Sequence, residues 1–220
     1  MKPLDKLYFV LGCIFCTTVV TGNLTFQKFI SLEIPFIITL DISVGVLLYP
    51  ITFLISDLLT EFYGKQKAKF VIQVTVLTSF IVMLLLFISI KLPAVSWSPL
   101  SDSEFKKAFN VYGLGSLASI IAIYIGQLTD IIIFSWLKSL TNNKHLWLRN
   151  NVSTIIAQFI DTSTVLLILC SFNIIPWQHF FDVFISSIIF KIIAALLDTP
   201  FCYLGHYLIS KLINKNNTNL

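Results

Sequence analysis

Residues 70–90 read FVIQVTVLTSFIVMLLLFISI, an unbroken stretch with no charged side chain. At about 1.5 Å per residue a helix of this length measures roughly 30 Å, the thickness of a bilayer's hydrocarbon core. The run therefore predicts a spanning helix, and the rest of the chain falls into place around it. Leu7–Phe26 is a second uncharged run, and Ala108–Thr129 is a third that continues past Asp130 to residue 137. Three more apolar stretches carry charge: 42–63 with Asp57 and Glu61, 150–171 with Asp161, and 180–210 with Lys191 and Asp198. With the first run taken as 69–91 and the third as 108–137, the reading is an all-α integral membrane protein. It has six transmembrane helices in one domain over 1–220, at 7–26, 42–63, 69–91, 108–137, 150–171 and 180–210.

Composition agrees. The 220 residues are 56% hydrophobic and only 12% charged, half the charged share of an ordinary soluble domain, about 25%. That excludes a soluble catalytic domain and a charged nucleic-acid-binding tail, so no nucleic acid is expected as a direct partner; the bilayer is. Lys2 and Lys6 precede the first apolar run as in a signal peptide, but Leu7–Phe26 is too long for a signal's apolar core and reads as the first span.

The connection between the first two spans changes period. Ile30, Leu32, Ile34, Phe36, Ile38 and Leu40 alternate with Ser31, Glu33, Pro35, Thr39 and Asp41, broken only by Ile37, and period two is a strand signal. An extended hairpin or flap at one membrane face follows, since open strand edges cannot face lipid. The connection 92–107 holds Pro93, Pro99 and the cluster Ser101, Asp102, Ser103, Glu104, which suits the cap of a short amphipathic helix.

Orientation follows from basic residues outside the spans. One side collects ten: Lys2, Lys6, Lys65, Lys67, Lys69, Lys138, Lys144, Arg149, Lys211 and Lys215. The other has four, Lys28, Lys91, Lys106 and Lys107, and the intramembrane Lys191 completes the 15. The positive-inside rule puts the richer side, with both termini, in the cytoplasm of a multi-pass cell inner-membrane protein.

A charge at a helix centre costs about 2.5–3.5 kcal/mol even on the lenient insertion scale, yet Asp57, Glu61, Asp130, Asp161, Asp198 and Lys191 lie within the spans, with Asn23, Gln127 and Gln158 beside them. They must face a shared polar interior. Asp57 and Glu61 are four apart, Gln127/Asp130 and Gln158/Asp161 three apart, and Lys191 and Asp198 seven apart, so each pair shares a helix face. The repeated QxxD on the fourth and fifth spans suggests two faces converging near mid-membrane, as in small transporters. The competing reading is that these groups merely hold helices together, pairing or bonding across interfaces. So many in so short a chain favour a solute site.

Other chemistry is not indicated. Cys13, Cys16, Cys170 and Cys202 lie in apolar stretches and read as small hydrophobes. The histidines have no metal-ligand spacing, so neither metal nor cofactor is expected. Phosphate-binding glycine loops, the setting of an intramembrane aspartyl protease and a Ser/His pair are missing, so the chain does not read as an enzyme.

Three stretches carry a resemblance: Tyr49 to Gly64 (YPITFLISDLLTEFYG), Trp147 to Thr154 (WLRNNVST) followed by Gln158 and Asp161-Thr162, and Lys191 with Leu197-Asp198-Thr199-Pro200. Together they resemble the queuosine precursor transporter family, also catalogued as vitamin uptake transporters, over residues 7–210. The resemblance implies a six-helix inner-membrane importer of 7-deazaguanines for salvage into tRNA modification: the 7-cyano form (preQ0), the aminomethyl form (preQ1) or queuine. It implies a fold similar to substrate-binding subunits of vitamin uptake systems, so that a membrane subunit served by a separate ATPase module is the alternative; association as a homodimer is left open. The family's pattern carries over to Asn23, Asp57, Gln127, Asp130, Arg149, Gln158, Asp161 and Lys191 as substrate-binding residues. The chain departs from it in having no Arg between Tyr112 and Ser119.

A 7-deazaguanine presents N1–H and a 2-amino group side by side, which one carboxylate accepts at once. Asp161 or Asp130 suits that edge, Gln127 and Gln158 suit O6 and N3, and Lys191 suits O6 or the 7-substituent. Asp161 lies 12 residues beyond Arg149, about 18 Å along a helix and hence at mid-membrane. On sequence alone, Asp161→Asn is expected to cut binding while leaving stability nearly intact.

Overall fold

Gly64 reverses the chain. It sits at φ 82° and ψ 164° inside a helical stretch, Tyr49–Lys91, whose regular geometry it breaks; that region of backbone space is essentially glycine's own. On either side of it two tyrosines tie down the same neighbour. Tyr63 Oη donates to the Leu4 carbonyl at 2.8 Å, and Tyr8 Oη donates to the Lys67 carbonyl at 3.0 Å. Residues 49–63 therefore run against the first helix, whereas 65–91 run alongside it, with Gly12 meeting Val71.

The computed structural model describes residues 3–34, 38–109 and 112–217. In chain order it comprises α1 (Pro3–Thr25), strands β1 (Phe29–Ile34) and β2 (Ile38–Ser43), a 3-10 turn (Val44–Leu48), and α2 (Tyr49–Lys91), which Gly64 divides. There follow α3 (Asp102–Phe109), α4 (Tyr112–Leu140), α5 (Leu146–Ser171) and α6 (Phe180–Asn217). Leaving aside the short α3, there are six long apolar rods, α2 supplying two, and the chain is an all-α membrane protein as its hydropathy predicts. The outward surface is apolar: Phe9, Phe70, Leu85, Phe87 and Phe181 are all more than half exposed, a surface suited to lipid and not to water.

The rods alternate in direction. The α1 end near Asn23 meets Ser119 of α4, and Lys138 at the other end of α4 meets Glu61. Arg149 at the start of α5 and His206 near the end of α6 also reach Glu61. The start of α1 and the last turns of α6 thus lie at the Glu61 end of the bundle, and the hairpin lies at the other.

The second helix begins at Tyr49, later than the apolar run from residue 42. Ile42 and Ser43 are still paired in the hairpin, where Phe29 faces Ser43 and Leu32 faces Leu40. Ser43 Oγ then accepts from Gly45 N at 3.2 Å and donates to the Phe26 carbonyl at 2.6 Å, so the chain turns before Pro50 can open the helix. The period-two alternation is a real antiparallel hairpin; its expected positions Pro35, Phe36 and Ile37 lie outside the described residues. Leu40 and Ile42 are fully buried, and β2 packs on α6. Hydropathy cannot distinguish such a buried strand from a span's first turns.

The predicted cap at 101–104 is a capping box. Ser101 N donates to Glu104 Oε2 at 2.8 Å and Glu104 N donates to Ser101 Oγ at 3.3 Å, each side chain satisfying the other's free amide. The Ser101 hydroxyl, donating to Glu104 Oε2 at 2.7 Å, and then the Ser101 amide hold the exposed Glu104 carboxyl below its usual range.

Candidate functional site

Helices α4 and α5 pack antiparallel because a glycine lets them touch. A methyl group at Gly126 would stand 2.9 Å from Asp161 Cβ and 3.4 Å from the Ala157 carbonyl. The two QxxD faces do meet, but their acids part. Asp161 lies opposite Gly126, whereas Asp130 lies opposite Ser153 and Thr154, eight or so residues and about 12 Å away along α5. The interior polar groups consequently form a column with three levels.

At the hairpin end a cavity of about 70 Å³ lies between α1, the hairpin, and α4 to α6. That is smaller than a usual small-molecule site, roughly 300–1,000 Å³, so its walls must part to admit a solute. Its polar wall is Asn23, Tyr49, Ser119, Asp161, Thr162 and Lys191; Phe26, Phe29, Val165 and Leu169 supply apolar wall. Lys191 Nζ donates to Asp161 Oδ2 at 2.8 Å and to Thr162 Oγ1 at 2.9 Å, and lies 4.3 Å from the centre of the Tyr49 ring. Two of the ammonium's three donors are thereby used, and it lies beside an aromatic ring that favours a cation. Ser119 Oγ donates to Asn23 Oδ1. Two atoms have no partner among the described residues, Asp161 Oδ1 and Asn23 Nδ2. A buried polar atom left bare costs about 1–3 kcal/mol, and both belong to residues of the cavity wall.

The middle level is Asp57 with Asp130. Asp130 accepts from Ser153 Oγ at 2.7 Å, Ser56 Oγ at 3.2 Å and Thr154 Oγ1 at 3.4 Å. At the far end Glu61 gathers cations: Arg149 at 2.8 Å, Lys138 at 3.1 Å and the His206 ring at 3.7 Å. Arg149 also donates to the Lys144 carbonyl and stacks its guanidinium over Phe134. Gln127 and Gln158 lie between the levels, each with a carbonyl oxygen unpartnered among the described residues.

All eight residues singled out in the sequence are buried, none more than 3% exposed. Asn23, Asp161 and Lys191 line the cavity. Asp57, Gln127, Asp130, Arg149 and Gln158 do not line it and occupy the column below. Tyr49, Ser119 and Thr162 escaped attention as site residues. Thr162 stands beside Asp161 and Tyr49 opens a quoted motif, but nothing in the local pattern marks Ser119. Asp198 joins no hydrogen bond or ion pair among the described residues, where no metal-binding cluster occurs either.

An apolar-surfaced helical bundle around an interior cavity with buried polar side chains in its wall is the architecture of a multi-pass membrane protein. The family described as "Putative vitamin uptake transporter" matches residues 43–205, and the chain belongs to it. It is similar to the "Probable queuosine precursor transporter" of Bacillus subtilis (strain 168), with 28% identity over 170 residues, covering 74% of this chain and 71% of that protein. No solved structure matches the chain.

Proposed function

We propose that this transporter imports a 7-deazaguanine precursor of queuosine, in its cyano, aminomethyl or cyclopentenediol form, by alternating access around the hairpin-end cavity. The observation that carries this reading is the complementarity of the bare atoms. Asp161 Oδ1, unpartnered among the described residues, accepts from the N1–H and 2-amino edge. Asn23 Nδ2 donates to a ring acceptor, and Lys191, held by Asp161, serves O6 or the 7-substituent. Phe26 and Tyr49, both in the wall, suit a flat ring. The similarity to the Bacillus subtilis transporter supports the same substrate class.

In this reading the cavity faces outward, and the Glu61 cluster seals the cytoplasmic end of a chain whose termini are both inside. The test is restoration of queuosine in tRNA in a cell that cannot make the precursor, with each base supplied externally. Restoration by this chain, lost in Asp161→Asn, supports the proposal; none with any base refutes it. Accumulation by the purified chain alone in liposomes excludes the reading in which a separate ATPase module drives uptake.

A further inference from the structure

A cavity of about 70 Å³ cannot hold a solute until part of its wall moves, and most of that wall is tied. Lys191 bonds Asp161 and Thr162, and Ser119 bonds Asn23. Leu166, Leu169 and Ile175 belong to a buried apolar cluster, whose close packing resists displacement. The backbones of α1 and the 3-10 turn touch, since a methyl group at Gly45 would stand 2.5 Å from the Gly22 carbonyl.

Phe26 is differently placed. It follows the last residue of α1, and its ring lies on Gly115, near the start of α4. A Cβ at Gly115 would overlap Phe26 Cζ and stand 2.8 Å from Cε2 and 3.0 Å from Cε1. The ring thus fills the place of a side chain that α4 lacks there, and bridges α1 and α4 at the hairpin end. Its backbone is held, because the Phe26 carbonyl accepts from Ser43 Oγ at 2.6 Å and Val44 N donates to the Lys28 carbonyl at 2.8 Å. The side chain can still turn, and exchange between staggered rotamers requires no helix to shift. Phe29, also in the wall, is 47% exposed and already stands outward.

Gly126, which faces Asp161, lies eleven residues beyond Gly115 along α4, about 16 Å. A solute approaching Asp161 from the hairpin end therefore meets Phe26 first. We propose that Phe26 is the outward gate of the cavity, its ring on Gly115 shutting the route to Asp161 and turning aside to admit each solute. Turned from Gly115, the ring remains at the mouth, where it can cover the face of a bound base. The assignment rests on the transport reading above, which a separate arm of the test isolates.

The reporter is Ser187→Cys in a chain lacking the four native cysteines, since Ser187 lines the cavity and is 5% exposed. A negatively charged, impermeant methanethiosulfonate is added to intact cells, and modification is followed in time. Phe26→Ala and Phe26→Leu should each raise the rate about tenfold or more, equivalent to 1.36 kcal/mol off the barrier. Gly115→Ala, whose methyl takes the ring's seat, should do the same with Phe26 and the polar wall unaltered. An unchanged rate in a folded Phe26 variant overturns the gate, as does modification only after the cells are permeabilised. Gly115→Ala decides the matter where a change at Phe26 prevents folding. Saturating 7-cyano-7-deazaguanine should protect position 187 in the reporter chain. Acceleration without protection counts against the transport reading and leaves the gate standing; protection without acceleration does the reverse.

Discussion

Lys191 and Asp161 form an ion pair 2.8 Å long across α6 and α5, with both side chains almost wholly buried. The pair fixes one oxygen of the carboxylate and leaves the other without a partner among the described residues. This overturns the sequence-based expectation that Asp161→Asn spares stability, because the substitution strands a buried ammonium. Breaking a buried pair from one side costs about 3–5 kcal/mol, whereas replacing both partners can be close to neutral. Asp161→Asn should therefore unfold at lower temperature in detergent, and the double variant Asp161→Asn/Lys191→Met should recover most of that loss. Both should bind 7-cyano-7-deazaguanine at least 100-fold more weakly. A well-folded double variant with normal affinity would remove the pair from the recognition site.

Gly126→Ala tests the same carboxylate without altering its charge. The added methyl stands 2.9 Å from Asp161 Cβ, so α4 and α5 must separate or Asp161 must rotate, at about 1–3 kcal/mol for overpacking. Affinity for the base is expected to fall about tenfold, equivalent to 1.4 kcal/mol. Equilibrium binding to the purified variant reads it directly, and unchanged affinity would show that the helix contact does not set the geometry of Asp161.

Gly64→Ala probes the reversal between the two rods of α2. There is open space around the site, so sterics with neighbours are not the issue; the φ of 82° is. Forcing an L side chain into this region costs on the order of 1–3 kcal/mol. A lower midpoint of thermal unfolding, with substrate affinity unaltered in the folded fraction, is the expected outcome.

Orientation is open to chemical labelling. In a variant lacking the four native cysteines, Cys at position 67 should resist an impermeant thiol reagent in intact cells. Cys at position 107, on α3, should label. The reverse pattern would invert the bundle.

The capping box of α3 should be sensitive to acid. Its hydrogen bonds depress the Glu104 pKa, so its contribution is present above the ordinary glutamate range and disappears as pH falls through the lowered value. Amide exchange at Ser101 and Glu104, corrected for intrinsic rates, should lose protection over that interval, and Glu104→Gln should remove the pH dependence.

The sequence by itself determined that the chain crosses a membrane, how many rods do so and which polar groups lie inside. These properties are local: an uncharged run of bilayer length is a span whatever it packs against, and a charge within it costs energy wherever it stands. The alternation at 30–41 likewise announced the hairpin, because period two follows from backbone geometry. Tertiary structure alone decided how the polar groups sort. Asp130 and Asp161 occupy matching motifs, yet Gly126 seats α4 on α5 so that one acid meets Ser153 and Ser56 while the other meets Lys191. Ser119 becomes a cavity residue only because α1 brings Asn23 to it. Helix offset and rotation arise from side-chain packing between segments far apart in the chain, which no hydropathy pattern along one segment encodes.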